Sequence, residues 1–241
     1  IHFERSHFQL HVREILKTCN MGVSSSVNQI AITVVQIILY NSLTHYGAQT
    51  VYGSDIPLAA CGIVMKTNAI ILAIIVGISQ GVQPIIGFNY GAKQYSRVRE
   101  AYLLAIKCNM IVSAVGFCFL QCFPEQIISL FGDGNELYLE FAVLFMRTFL
   151  FMVLVNGVQL LSSSFFTAIG KALRGALLAL TRQVFFLIPL LLALPLRFGI
   201  MGVLYAGPIA DFTAFLLSVV LVSRELRRQR IISQEEVSSE A

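Results

Sequence analysis

The sequence contains six apolar stretches, each long enough to cross a lipid bilayer as a helix. About 20 helical residues span the roughly 30 Å of hydrocarbon in a typical membrane. Because hydrocarbon cannot hydrogen-bond an open backbone, we predict an all-α integral membrane protein, a lobe of six transmembrane helices. The predicted spans lie near residues 22–45, 57–88, 100–123, 138–166, 175–196 and 199–223.

Charge is scarce and unevenly placed. Charged residues make up 12% of the chain, whereas soluble domains carry about 25%. The net charge of +4 is not gathered on one face or tail, which argues against a nucleic-acid partner. Except for Arg197, Lys and Arg outside the spans occur in alternate polar segments, near 5–17, 93–99, 171–174 and 224–230. The positive-inside rule therefore predicts a multi-pass plasma-membrane protein with both termini cytoplasmic.

Both ends of the chain are polar. Residues 1–20 mix charged and apolar side chains, and we predict a cytoplasmic interfacial lead-in before the six-helix lobe of residues 21–223. Residues 224–241 turn from basic to acidic and Ser-rich, which predicts a cytoplasmic helix extension followed by a disordered tail. Because the first residue is not Met, we expect the chain to be part of a longer protein.

The inner end of the second span, residues 77–93, is unusually rich in glycine. Its two Gly-x-x-x-Gly steps, at 77–81 and 87–91, have the spacing that lets membrane helices approach closely. Pro84 removes a backbone N–H, and such a break is tolerable at membrane depth only against protein or a water-filled cavity. The pattern predicts a hinge and packing element.

Amide side chains inside the spans are candidate substrate-binding residues, because they can line a cavity with adaptable hydrogen bonds. The five candidates are Gln36, Gln80, Gln83, Asn156 and Gln159. Two pairs among them are three residues apart, which places each pair on one helix face. The alternative is that these amides join neighbouring helices, since Asn and Gln commonly bond across membrane helices.

We select three charged residues within the apolar stretches, since an intramembrane ionisable group is a functional candidate. Asp211, in the last span, is the candidate site for a coupling ion, with an ion pair to Arg147 as the alternative. Lys66 is a candidate counter-charge for an anionic group, or a lysine that reaches towards the membrane surface.

Catalytic and metal chemistry have little support. His7 and His11 lie one helical turn apart but lack a third ligand, and the five cysteines show no zinc-like spacing. The serine clusters have no deep histidine that would act as a base. We predict a protein that is not an enzyme and has no catalytic residue, metal site or cofactor.

Three stretches together resemble the multidrug and toxic compound extrusion (MATE) transporters, particularly the MepA-like branch. They are GISQGVQPIIGFNYGAKQYSRVREA at 77–101, Arg182-Gln183 leading into FFLIPLLLALP at 185–195, and GIMGVLYAGPIADFTAFLLSVVLVSREL at 199–226. The similarity extends over about residues 10–230.

The resemblance implies twelve helices in two lobes, of which this chain is the C-terminal one. It implies an antiporter in which Na⁺ or H⁺ entry drives export of amphipathic, often cationic, organic compounds by rocking of the lobes. The implied partners are the lipid bilayer, small organic cations and a missing N-terminal six-helix lobe. We expect no transport by the chain alone, unless it pairs with another half-transporter or with itself. The resemblance also implies that the coupling acid of some branches lies in the first lobe.

Two other functions stay open. A related flippase for lipid-linked oligosaccharide or polysaccharide precursors would be favoured by a cavity rich in Arg and Lys, for which only Lys66 and Arg147 qualify. A membrane scaffold subunit without transport would be favoured by closely packed spans that enclose no cavity.

Overall fold

The computed structural model describes the backbone of residues 12–132 and 134–240, and side-chain surroundings within 26–132, 134–229 and at 231. The elements are α1 (Val12–Gly47), α2 (Asp55–Gly91), α3 (Tyr95–Cys122), α4 (Pro124–Ser129), α5 (Glu136–Phe149), α6 (Val153–Ala168), α7 (Ala172–Leu180), a π-helical segment (Thr181–Leu187), α8 (Ile188–Ala193), α9 (Pro195–Phe198) and α10 (Ile200–Glu240). Five helical units in this part of the chain have membrane-spanning length and composition, and α5 with α6 form a sixth if that bent pair is one span. The predicted all-α membrane lobe is confirmed.

Two predicted spans are irregular. The fourth is bent by 48° between α5 and α6. The fifth contains the π-helical segment, followed by α8 and α9. Pro189, just beyond that segment, lacks the N–H that would bond the carbonyl of Phe185 in an α-helix. The wider π turn precedes this missing bond, and such turns occur frequently at functional sites.

Ion pairs and hydrogen bonds tie the helix ends together at both sides of the lobe. At the basic end, the buried Glu225 on α10 accepts hydrogen bonds from Lys171 in the α6–α7 connection and, at 3.3 Å, from Arg174 in the first turn of α7. At the opposite end, the Tyr52 hydroxyl donates to Glu140 Oε1 at 3.3 Å. Burial, and then the nearby Glu140 carboxylate, raise the pKa of Tyr52, so the phenol remains a neutral donor.

The apolar core is divided into two clusters. The larger one, nearer the Tyr52 end, includes Phe141 and Phe145, and the smaller one, nearer Glu225, includes Phe165. Helices α2, α3, α6 and α10 each contribute residues to both clusters. On each of these helices, buried polar residues lie between the part that belongs to one cluster and the part that belongs to the other. They are Thr67, Asn68, Ser79, Asn109, Ser113, Asn156, Gln159, Asp211 and Ser218. A polar layer therefore crosses the middle of the lobe.

The glycine-rich end of α2 does not pack as predicted. Helix α2 is continuous through Pro84. Among the described residues, a Cβ added at Gly77, Gly81 or Gly91 would meet no atom within 4 Å, and of these four glycines only Gly87 would bring one close to another helix, 3.2 Å from the Ala168 carbonyl oxygen. Within the described part of this lobe, the predicted packing role is therefore wrong for three of the four glycines, because the buried face of α2 carries other residues, such as Ile75, Ser79 and Ile86.

The chain ends also differ from the expectation. Helix α1 begins at Val12 and continues through the predicted boundary at residue 20. Helix α10 continues to Glu240, so the predicted disordered tail is helical, in keeping with the good helix propensity of its Arg, Gln and Glu residues. His7 and His11 lie outside the described residues.

Candidate functional site

A cavity with both polar and apolar lining residues lies between α1, α2, α6, α7 and the π-helical segment. It has two adjoining compartments that share five lining residues. The π-helix compartment, of about 180 Å³, is also lined by Asn156, Gln159, Arg182 and Gln183. The α2 compartment, of about 330 Å³, is also lined by Ser79, Gln80, Gln83 and Ser164. The shared residues are Asn28, Val76, Leu160, Ser163 and Ala179.

The structure brings four of the five candidate amides to this cavity. Gln80 and Gln83 reach it from α2, and Asn156 and Gln159 reach it from α6. Gln36 lies on the exposed face of α1 and lines neither compartment. The i, i+3 spacing of each pair therefore aims both of its members at the same space.

Asn156 is the most constrained of these amides. Its side chain is 5% exposed, and its Oδ1 has no hydrogen-bond partner among the described residues. Most buried polar atoms have a partner, so an unpartnered oxygen beside a cavity is a candidate ligand contact. Gln159 is similarly buried, at 4%.

Asn109 shows the other use of an amide in a membrane protein. It is fully buried on α3 and its Nδ2 donates to Ser79 Oγ on α2, at 3.2 Å, and to the Gly157 carbonyl on α6, at 3.4 Å. This residue joins three helices and was not among the candidates. Its position in the middle of the third apolar stretch was the available signal.

Asp211 pairs with Arg182, not with Arg147. The Arg182 Nε donates to Asp211 Oδ1 at 2.5 Å, which joins the π-helical segment to α10. Arg147 is exposed on α5, as is Lys66 on α2. The alternative of an Arg147 pair is therefore wrong. Arg182 was missed as an intramembrane charge, although a lone arginine inside the fifth apolar stretch carried the same signal as Asp211.

The two members of this pair stand in different positions relative to the cavity. Arg182 lines the π-helix compartment, with 21% of its side chain exposed, whereas Asp211 is 4% exposed and lies behind it. Arg182 is the one ionisable group in the described lining of either compartment. Among the same described residues, no group of three or more His, Cys, Asp or Glu is placed to hold a metal ion.

Comparisons with known proteins agree on the fold. The lobe superposes with a TM-score of 0.82, at 18% identity, on "Outward-facing conformation of a multidrug resistance MATE family transporter of the MOP superfamily", covering 95% of this chain and 50% of that one. An inward-facing structure of the same description matches with a TM-score of 0.76 at 19% identity, covering 92% and 50%. A MOP superfamily transporter from Pyrococcus furiosus matches at 0.82 and 18%, with 95% and 50% covered.

Sequence comparison gives the same family. The multidrug export protein MepA of Staphylococcus aureus (strain MSSA476) is 24% identical over 208 residues, covering 84% of this chain and 43% of that protein. MepA of Staphylococcus haemolyticus is 24% identical over 211 residues, covering 88% and 44%. This chain therefore spans less than half the length of these curated relatives. The family model MatE matches residues 25–194, which is more than half of the chain, and the chain therefore belongs to the MatE family.

Proposed function

We propose that this chain is the C-terminal lobe of a cation-coupled antiporter that exports amphipathic, often cationic, organic compounds. The observation that carries the proposal is the cavity in the polar layer, lined by amides of which Asn156 has an unpartnered oxygen. Adaptable amide donors and acceptors at membrane depth suit a transporter that accepts varied compounds. The relatives named as multidrug export proteins support this substrate class.

Rocking of whole lobes is the proposed conformational change. The described lobe matches both an outward-facing and an inward-facing family structure over more than nine-tenths of its length. A lobe that keeps one fold in both states would move as a rigid body against a partner lobe. We propose that this partner is a second six-helix lobe and that the termini of this chain lie in the cytoplasm of a plasma-membrane protein.

Asp211 is the proposed coupling residue within this lobe. It is deeply buried in the polar layer and already carries a cationic partner, Arg182. A Na⁺ ion or proton at Asp211 would compete with that guanidinium, so coupling here requires Arg182 to move away as the cation arrives. If Asp211 does not couple, the acid would lie in the other lobe, as the resemblance implies for some branches.

The transport proposal predicts a dependence on the second lobe. In liposomes with an inward Na⁺ or proton gradient, we expect export of a cationic dye by this chain only when a complementary six-helix half is reconstituted with it. The same liposomes without a gradient serve as the control. Robust gradient-driven dye movement by the monomeric chain would contradict the two-lobe mechanism. The absence of gradient-driven dye movement both with and without the complementary half would contradict the antiporter.

A second prediction concerns the amides. Leu at Asn156 or Gln159 should change the relative transport of several dyes by about tenfold, the effect of losing roughly 1.4 kcal/mol of discrimination. Leu at Gln36 is the comparison, because Gln36 lines neither compartment and its replacement should leave the relative transport of the dyes unchanged. Uptake of a dye panel, normalised to the amount of folded protein, measures the effect. An equal loss for all dyes would instead indicate a structural role.

The alternative functions have weaker support. A flippase for lipid-linked sugars would be favoured by a cavity rich in Arg and Lys, but Arg182 is the one such residue in the described lining of either compartment, and Lys66 and Arg147 are exposed outside it. A scaffold subunit would be favoured by spans without a cavity, whereas two adjoining compartments lie within this lobe.

A further inference from the structure

The guanidinium of Arg182 has donors that Asp211 does not use. A guanidinium carries five N–H donors in a planar fork, which match the oxygens of a carboxylate. Arg182 Nε donates to Asp211 Oδ1, and within the described residues no other hydrogen bond or ion pair of Arg182 is found. Because Arg182 lines the π-helix compartment, its terminal nitrogens are available to a second acceptor from that side.

The charges of the Arg182–Asp211 pair cancel, but they lie at different distances from the compartment. The cationic Arg182 is in front, at the compartment, and the anionic Asp211 lies behind it at 4% exposure. Since the pair has no net charge, it gives a purely cationic compound little Coulomb attraction. A compound that carries both a carboxylate and a cationic nitrogen also has no net charge, and the ion pair would orient its carboxylate towards Arg182.

The compartment also provides an acceptor for the nitrogen of such a compound. Asn156 is 5% exposed, and its Oδ1 has no partner in the part of the chain that the structure describes. It lines the same compartment as Arg182. An N–H of the ligand would satisfy this oxygen, while its carboxylate takes the free edge of the guanidinium. The adjoining α2 compartment, of about 330 Å³, offers room for the apolar body.

We propose that the π-helix compartment is a binding site for the carboxylate of a zwitterionic amphipathic substrate, held by Arg182, with an N–H of the substrate on Asn156. The inference rests on the proposed function and narrows its substrates to compounds that carry both charges. Arg182 is then the residue that sets this preference, and Asp211 positions its guanidinium.

Binding of a matched pair of probes tests the site without requiring transport. The probes are a rhodamine dye with a free carboxylate and the methyl ester of the same dye, measured by fluorescence polarisation with this chain in phosphatidylcholine nanodiscs. We expect Arg182→Gln to reduce the preference for the acid over the ester by about tenfold, with the affinity for the ester changed less than about threefold. Arg147→Gln removes an exposed arginine outside the cavity and should leave the preference unchanged.

Two further arms keep the test decisive. Arg182→Gln together with Asp211→Asn removes both charges and leaves neither residue without its counter-charge, so this double variant replaces the single variant if that one fails to fold. The double variant should also lose the preference for the acid over the ester. A double variant that retains it overturns the proposal. The second arm adds anionic phosphatidylglycerol to the nanodisc, at high salt to screen the surface charge. This lipid should not compete with the acid dye for Arg182. Loss of acid binding in its presence would show that the guanidinium binds a lipid phosphate instead. Failed transport with intact acid preference would contradict the antiporter but not this site.

Discussion

Replacing Asp211 with Asn is expected to lower the free energy of unfolding by about 3 kcal/mol, because removing one partner of a buried ion pair leaves the other charge uncompensated. Here that charge is Arg182, whose Nε lies 2.5 Å from Asp211 Oδ1. Changing Arg182 to Gln in the same chain should recover most of the loss, since exchanging a buried pair for neutral residues is often tolerated. Thermal unfolding in detergent of both single variants, the double variant and the original chain measures the coupling.

The double variant also separates stability from ion coupling. If it is folded, and Asp211 is the coupling residue, dye export with the complementary half should no longer depend on the Na⁺ or proton gradient. Gradient-dependent export by the folded double variant would exclude Asp211 and leave coupling to the other lobe. Equal stability of the original chain and Asp211→Asn would show that the pair contributes nothing to the fold.

Replacing Gly202 with Ala is the second large expected effect, a loss of about 3 kcal/mol. A Cβ at this position would lie 2.5 Å from the carbonyl carbon and oxygen of Leu194 and 2.7 Å from the nitrogen of Pro195. These are backbone atoms, which cannot rotate away as a side chain does, so α10 would have to shift from the end of the fifth span. Overpacking a close contact typically destabilises a protein by about 1–3 kcal/mol.

Gly81 provides the matched control for this substitution. A Cβ there would meet nothing within 4 Å in the part of the chain that the structure describes. Ala at Gly81 should therefore be neutral or stabilise the chain by up to about 1 kcal/mol, the difference in helix propensity. Thermal unfolding of the two variants in the same detergent checks the contrast. Greater destabilisation at Gly81 than at Gly202 would contradict the packing described for α2 and α10.

The two glycines show where sequence patterns stop being informative. Gly77 and Gly81 have the spacing of a helix contact, but spacing does not say which face of α2 meets a neighbour. Gly202 has no such motif, yet α10 closely approaches the backbone of the preceding segment there. Which glycine is constrained depends on how the helices cross, and crossing is a property of the assembled lobe.

The candidate site was partly predictable for the same reason. The i, i+3 spacing of Asn156 and Gln159 placed both amides on one face of α6, and both line the cavity. The partner of Asp211 could not be deduced from spacing, because Arg182 and Arg147 are both arginines in apolar stretches. The π-helical segment decides the choice, since it carries Arg182 to α10 whereas Arg147 remains exposed on α5.

The sequence by itself determined the all-α membrane class and the family, because the length and hydropathy of each apolar stretch are local properties that decide whether it can span a bilayer. Only the tertiary structure decided which polar residues face a cavity, which join helices and which charges pair. Asn109 and Asn156 are both buried amides whose Oδ1 has no partner among the described residues, but Asn109 donates from Nδ2 to two neighbouring helices whereas Asn156 lines the cavity. That difference arises from the packing of helices distant in the chain, which no single stretch of sequence contains.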